Sequence, residues 1–358
     1  MVSKSLDQNR PHRKLSTHPS NWIRPLASGL AVLDVHGEPI FHIDATRIAD
    51  TVIVTHGHAD HARPGHKHVI ASAETLAIMK ARYGANFAER VTALRWHETM
   101  RIGDVDIHLV PAGHVLGSAQ IVLDYEGARV VVSGDYKRKS DPTCAPFEPV
   151  PCDVFITEAT FALPVFSHPE PLLEINRILV SLKQFPERAH VIGAYSLGKA
   201  QRVIALLRQA GYQEPIYIHG ALQKLCQLYQ DHGIDLGILA PATTGEKGKP
   251  QQALAGQIVI APPSALADRW SRRLPDPLII MASGWMQVKQ RAKQSGVEMP
   301  LILSDHADWN DLLTTIDEVN PQEVWITHGR EDALMRALSL KNMTAKALHL
   351  IGYEDDAE

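Results

Sequence analysis

A β-branched run that breaks into histidines, VIVTHGHADHARPGH at residues 52–66, constrains this chain more than any other stretch. Val52, Ile53, Val54 and Thr55 read as a strand end, and His56, His58, Asp60 and His61 follow within six residues. Alternate side chains of an extended backbone share a face. His56 and His58 therefore point the same way and can grip one cation. Small Gly57 and Ala59 let the chain turn, which brings Asp60 and His61 to a second cation nearby. Imidazole with carboxylate and no thiolate suits zinc, iron or manganese in a catalytic setting. Two such cations sit roughly 3.5–4 Å apart and polarise a shared water.

A metal pair needs more ligands than one turn supplies, and other strand ends offer them. His114 lies in PAGHVLGSAQ, Asp135 in VVVSGDYKR and His328 in VWITHG. Asp135 can bridge. That assigns His56, His58, His114 and Asp135 to one cation, and Asp60, His61, Asp135 and His328 to the other. Singly, a histidine or aspartate at a strand end is ordinarily a cap or a surface group. Three histidines and an aspartate packed behind a strand are not. VIVTHGHAD at 52–60 is echoed by VWITHGRED at 324–332, which points to two strand ends delivering histidines to one place.

Composition sets the outer limits. The 358 residues, 45% hydrophobic and 21% charged, suffice for one large domain or two ordinary ones. Apolar runs such as PLIIMA are too short to span a bilayer. MVSKSLDQNRPHRKLSTHPSN has no apolar core of a secretory signal and reads as a polar tail. Three cysteines without CxxC spacing argue against a disulfide framework or a thiolate zinc site, so the cytoplasm is the default location. With 36 basic against 40 acidic residues, bulk charge does not hold this chain to nucleic acid. Any polyanion must be held locally, by a few basic groups or bound metal.

Residues 27–160 alternate as short strands, with SAETLAIMKARYG a helix capped by Ser72 and stopped by Gly84, and Glu126-Gly127 a hairpin turn. Near residue 165 the rhythm becomes βαβα. Leu172, Ile175, Ile178, Leu179 and Leu182 fall at helical spacing. SLGKAQRVIALLRQAG follows a strand as a helix with Ser196 as cap and Gly211 as stop. This rhythm implies a small parallel sheet. The chain divides into a polar tail at 1–20, a first portion at 21–165, an inserted α/β segment at 166–280 and a completing portion at 281–358.

THGHADH with His114, Asp135 and His328 resembles the metallo-β-lactamase fold, an αββα sandwich with a dinuclear site at a sheet edge. The resemblance implies that Asp44 in FHIDAT orients the metal-binding turn. Glu158 in VFITEATF, His306 in LILSDHADW and His328 are similar to the extra motifs of the β-CASP nucleases, whose small parallel α/β cap is inserted before both histidines. Within that branch the chain looks most like the ligase-associated DNA exonucleases, which implies partnership with an ATP-dependent DNA ligase and a helicase.

These readings give a mechanism. Two divalent ions, Zn2+ or Mn2+, make a bridging hydroxide near neutral pH and stabilise charge at phosphorus. Asp60, Glu158 and His306 form the catalytic set: His306 is the general acid for the leaving oxygen, and Glu158 orients it. Ser196 and Lys199 at a helix start, with Ser283 and Gly284, are the expected phosphate contacts. Arg202 could assist. Tyr136, Lys137, Arg138, Trp285 and Trp309 are weaker candidates, better explained as solvated charge or core packing. The expected activity is a metal-dependent DNA exonuclease of DNA repair, acting on single strands or strand ends. The alternatives are a ribonuclease, a small-molecule metallo-hydrolase and an inactive scaffold paralogue.

Overall fold

The structure is a computed structural model that describes residues 16–242, 252–294, 296–329 and 331–348. The first sheet has six strands in chain order: Ile23–Leu26, Gly29–Leu33, Pro39–Ile43, Thr51–Ile53, His66–Ala71 and Ala88–Ala93. The second has seven strands and runs in the order Thr344–Ala347, Glu323–Gly329, Val154–Ala159, Ala128–Val132, Ala119–Tyr125, Val105–Pro111 and Met100–Ile102.

Alternation explains how the second sheet is covered on both faces. Ile121, Leu123, Val130 and Val132 face Val32, Phe41, Ile53 and Ile70 of the first sheet. Val122 and Val131, pointing the other way, join Leu312, Ile316, Leu334 and Leu338 of the helices Trp309–Val319 and Glu331–Leu340. The outer face of the first sheet packs Val52, Val54 and Val69 against Met79 of the helix Ala73–Tyr83. Four layers result, α on β on β on α, as expected. Ser72 caps that helix by accepting from Thr75 N, and Gly84 ends it. Glu126 and Gly127, at φ +46° and +79°, make the expected hairpin turn.

The third sheet has six strands, all in parallel pairs, in the order Leu239–Pro241, Ile216–Ile218, Ile258–Ala261, His190–Gly193, Leu278–Ala282 and Met299–Leu301. The helices Pro171–Gln184, Lys199–Gln209 and Gln223–Asp231 cover it. Three details differ from the sequence reading. This sheet takes in Leu278–Ala282 and Met299–Leu301, so its strands run past residue 280. Leu172 is 43% exposed, and the packed face of its helix is Ile175, Ile178, Leu179 and Leu182. Gly198, at φ +85°, begins the helix in place of Ser196, and Ala210 ends it in place of Gly211. No described helix is long and apolar enough to cross a membrane.

Candidate metal centre

The strand Thr51–Ile53 ends inside the sandwich, and the turn after it is anchored before it reaches the site. Asp44 Oδ1 accepts from Thr55 N at 2.8 Å, and Asp44 Oδ2 accepts from Thr55 Oγ1 at 2.7 Å. The same Oδ2 lies 2.7 Å from His61 Nδ1. One buried carboxylate thus ties both ends of the histidine turn together. Gly57 fits because an added Cβ would meet Ile78 Cγ2 at 2.5 Å.

Three imidazoles converge from this turn and from the loop after Val105–Pro111. His58 Nδ1 lies 3.0 Å from both His56 Nε2 and His114 Nε2. Asp135 Oδ2 is 3.5 Å from His56 Nε2 and 3.8 Å from His114 Nε2. These four residues can hold one cation between their facing atoms. Each imidazole has a partner behind it: Thr55 Oγ1 at His56 Nδ1, the Leu197 carbonyl at His58 Nε2 and the Asp305 carbonyl at His114 Nδ1. A carbonyl can only accept, so His58 and His114 turn their unprotonated nitrogens inward. Burial holds His56 and His114 well below the usual imidazole range and His58 at about 4. Neutral imidazole is the ligating form, so the donor set fits a divalent ion.

Asp135 also serves the other side of the turn. Its Oδ2 lies 3.6 Å from His61 Nε2, which is 3.4 Å from Asp60 Oδ2. Asp60 Oδ1 is buried with no hydrogen-bond partner among the described residues, as a metal-facing oxygen would be. Burial opposes a charged His61, but Asp60, Asp135 and Asp44 hold it well above the usual range. Burial raises Asp135. His328 lies in the strand Glu323–Gly329, beside Val154–Ala159, and its side chain falls outside the described residues.

Glu158 and His306 meet beside this cluster. Glu158 Oε2 lies 2.8 Å from His306 Nδ1, and Glu158 Oε1 accepts from Tyr136 N at 2.8 Å. Burial works against a charged His306, but Glu158 and Asp135 hold it up at about 9. His306 is therefore an imidazolium near neutral pH, able to give a proton. Its ring centroid lies 4.7 Å from that of His114, with the two planes tilted.

The cluster floors a cleft of about 250 Å³ between the sandwich and the third sheet's helices. Ser196, Ser283, Gly284 and Trp285 line it, and Ser283 Oγ accepts from Trp285 N. Lys199 lines it too but is only 4% exposed, and its Nζ lies 2.8 Å from Asp305 Oδ2. Its charge is thus already paired with a carboxylate. Arg202 is buried against Asp141 and Asp305 instead of being solvated. Tyr136 is a core residue, Lys137 pairs with Asp141 and Arg138 with Glu318. Trp309 packs against the core, as expected. Sequence reasoning missed Arg82, an exposed cleft-lining residue whose Nη1 donates to Gly57 O at 2.7 Å. Its position within a helix carries no signal for that role.

A four-layer sandwich with histidines and aspartates meeting at its sheet edge defines a metallo-hydrolase. The chain matches the family described as "Beta-lactamase superfamily domain" over residues 30–192. It matches "Zn-dependent metallo-hydrolase RNA specificity domain" over residues 294–340. It is 30% identical to a protein named "Probable DNA ligase" from Opitutus terrae over 82% of this chain and 28% of that protein. It is 30% identical to "Endoribonuclease YSH1" of Gibberella zeae over 41% of this chain and 19% of that protein. For "Cleavage and polyadenylation specificity factor subunit 3-I" of Arabidopsis thaliana the identity is 22%, over 88% of this chain and 55% of that protein. The chain thus spans little more than half of the last relative and far less of the others. A solved structure of a protein of unknown function from Enterococcus faecalis V583 shares the fold. Its TM-score is 0.51 at 12% identity, over 81% of each chain. The chain belongs to the metallo-β-lactamase superfamily, in its β-CASP nuclease branch.

Proposed function

We propose that this chain is a metal-dependent phosphodiesterase that hydrolyses DNA from a strand end, a cytoplasmic exonuclease of DNA repair. One observation carries the reading: the inward nitrogens of His56, His58 and His114 meet Asp135 beside the Glu158–His306 pair, on the floor of one cleft. His56, His58, His114 and Asp135 would hold one Zn2+ or Mn2+, and Asp60, His61, Asp135 and His328 a second. When bound, the pair would supply an activated water and positive charge opposite the phosphorus.

The protein's own groups do the rest. Asp44 holds the histidine turn in register through Thr55 and His61. His306 gives its proton to the leaving oxygen, and Glu158 keeps that imidazole charged and aimed. Ser196, Ser283 and Gly284 offer polar groups along the cleft to the strand's phosphates. Arg82 adds charge at its rim, where no ion pair with a described carboxylate neutralises it. Trp285, tilted against Phe161 with centroids 4.7 Å apart, lines the cleft as an aromatic surface on which a base can stack.

DNA is favoured by the relative named as a DNA ligase, whose similarity runs over 82% of this chain. The same relation motivates a DNA ligase as a working partner, and the resemblance to the ligase-associated exonucleases adds that the ligase is ATP-dependent and acts with a helicase. The matched RNA specificity domain and the endoribonuclease relatives favour the second reading, a ribonuclease. Incubating the metal-loaded protein with end-labelled DNA and RNA of one sequence decides between them. Preferential shortening of DNA from one end supports the first reading. Preferential cutting of RNA replaces it with the second.

A further inference from the structure

Two lysines, an arginine and two aspartates lie buried just behind the metal cluster, with no part in the chemistry described above. Asp305 is 4% exposed and meets two cations from one helix: Lys199 Nζ at 2.8 Å from Oδ2 and Arg202 Nη1 at 3.0 Å from Oδ1. Arg202 Nε is also 3.1 Å from Asp141 Oδ2, and Lys137 Nζ is 3.1 Å from the same oxygen. The helix grips the backbone as well. Lys199 Nζ donates to the Leu303 carbonyl at 3.1 Å, and Arg202 Nη1 donates to the Ser304 carbonyl. Three successive residues, 303–305, are held from the Lys199–Gln209 helix.

What this segment carries gives the network its purpose. The Asp305 carbonyl accepts the Nδ1 proton of His114 at 2.9 Å, and the next residue is His306. A buried ion network is poor as a stabilising device, because desolvation offsets most of the attraction. Its better-attested use is to enforce one arrangement. The start of the helix is pressed close for the same end: a Cβ on Gly198 would meet Val115 Cγ1, one residue from His114, at 2.3 Å.

We propose that Lys199 and Arg202 are positioning residues. They lock Asp305 so that its carbonyl fixes His114 with Nε2 toward the metal cluster and its neighbour His306 faces Glu158. The inference rests on the reading of His114 as a ligand and His306 as the acid. It makes placement of the inserted α/β unit a condition for an assembled metal site, and Lys199 a lock instead of a substrate contact.

The test compares full-length Lys199→Met, Lys199→Arg and Asp305→Asn with the parent by three measurements. Zinc affinity is read by competition with a chelating dye. The His114 tautomer is read from imidazole 15N shifts of the metal-free protein. Binding and hydrolysis of a fluorescent DNA oligonucleotide complete the set. Lys199→Met and Asp305→Asn should weaken zinc binding and lower kcat by roughly 10- to 100-fold, the usual cost of losing a group that orients a ligand. His114 should become a tautomer mixture, with KM and oligonucleotide Kd within about twofold of the parent. Lys199→Arg should restore most of each loss. Two results would overturn the lock. One is a raised Kd with a salt slope shallower by about 0.7, which makes Lys199 a phosphate contact. The other is an unchanged tautomer and zinc affinity in well-folded Lys199→Met and Asp305→Asn. If the parent itself hydrolyses nothing, the functional reading fails, while the zinc and tautomer measurements still decide the lock.

Discussion

Glu158 lies between two parts of the site: one oxygen meets His306 Nδ1 at 2.8 Å, and the other accepts the backbone N–H of Tyr136, the residue after Asp135. The carboxylate that charges the proposed acid therefore also fixes the backbone beside the proposed bridging aspartate. It has no freedom to swing away, being 1% exposed.

This arrangement predicts a leaving-group signature. His306→Ala should lower kcat on a DNA strand by about 10²- to 10⁴-fold, the range for a lost general acid. On an aryl phosphodiester such as a p-nitrophenyl ester, whose leaving oxygen needs no proton, the loss should shrink to less than about tenfold. Glu158→Gln should follow the same pattern. Parallel rate measurements on the two substrates check it, and equal losses on both would remove His306 from the acid's role.

Asp44 predicts a second outcome. Asp44→Asn keeps the shape but gives up the charge beside His61 Nδ1 and forces an amide donor against it or against Thr55. Metal affinity should drop by roughly 10- to 100-fold at the Asp60–His61 side. Titration of the metal-free protein with Zn2+, followed calorimetrically, should show the weaker binding event lost first.

Arg82 predicts a charge effect without a catalytic one. As the exposed cleft-lining cation, it should hold one phosphate of the bound strand. Arg82→Gln should raise KM by about tenfold, leave kcat near the parent value and reduce the slope of log binding constant against log salt by about 0.7. Binding titrations at several salt concentrations test this.

His168 predicts a pH dependence of stability. Burial holds its folded pKa at about 4, below the ordinary value of 6.5. The unfolded chain therefore takes up a proton near pH 6.5 that the folded chain refuses until about pH 4. Stability contributed at neutral pH is lost as pH falls through that window, by up to about 1.4 kcal/mol per pH unit for one proton. His168→Phe keeps the ring contact with Phe161 and cannot titrate, so urea unfolding at pH 7, 6 and 5 should show a shallower decline for the variant.

Much of this molecule was legible in its sequence, because short-range patterns carried it. Alternation in SAQIVLDYEG and ARVVVSGD fixes which residues face the other sheet, and the hairpin follows from Glu126-Gly127. The density of His56, His58, Asp60 and His61 after a strand names a metal turn without help from tertiary contacts. What stayed hidden depends on pairs far apart in the chain. Lys199 at a helix start looks like a phosphate contact, and nothing near it in the sequence signals its partner Asp305, 106 residues on and 2.8 Å away. Tyr136, Lys137 and Arg138 look like one polar run after Asp135, yet the three side chains go to the core, to Asp141 and to Glu318. The boundary at residue 280 cuts through Leu278–Ala282, because nothing local marks that segment as a third-sheet neighbour of His190–Gly193.

The central claim is that converging imidazoles and carboxylates hold two cations that cut a phosphodiester. Metal content by mass spectrometry and hydrolysis of an end-labelled DNA strand, measured on one preparation, test it most directly. The parent should carry about two equivalents of Zn2+ or Mn2+ and digest the strand. The Asp60→Ala, His61→Ala double variant should carry about one and lose nearly all of the activity. A folded parent that takes up no metal, or a double variant that digests the strand as fast as the parent, would contradict the account.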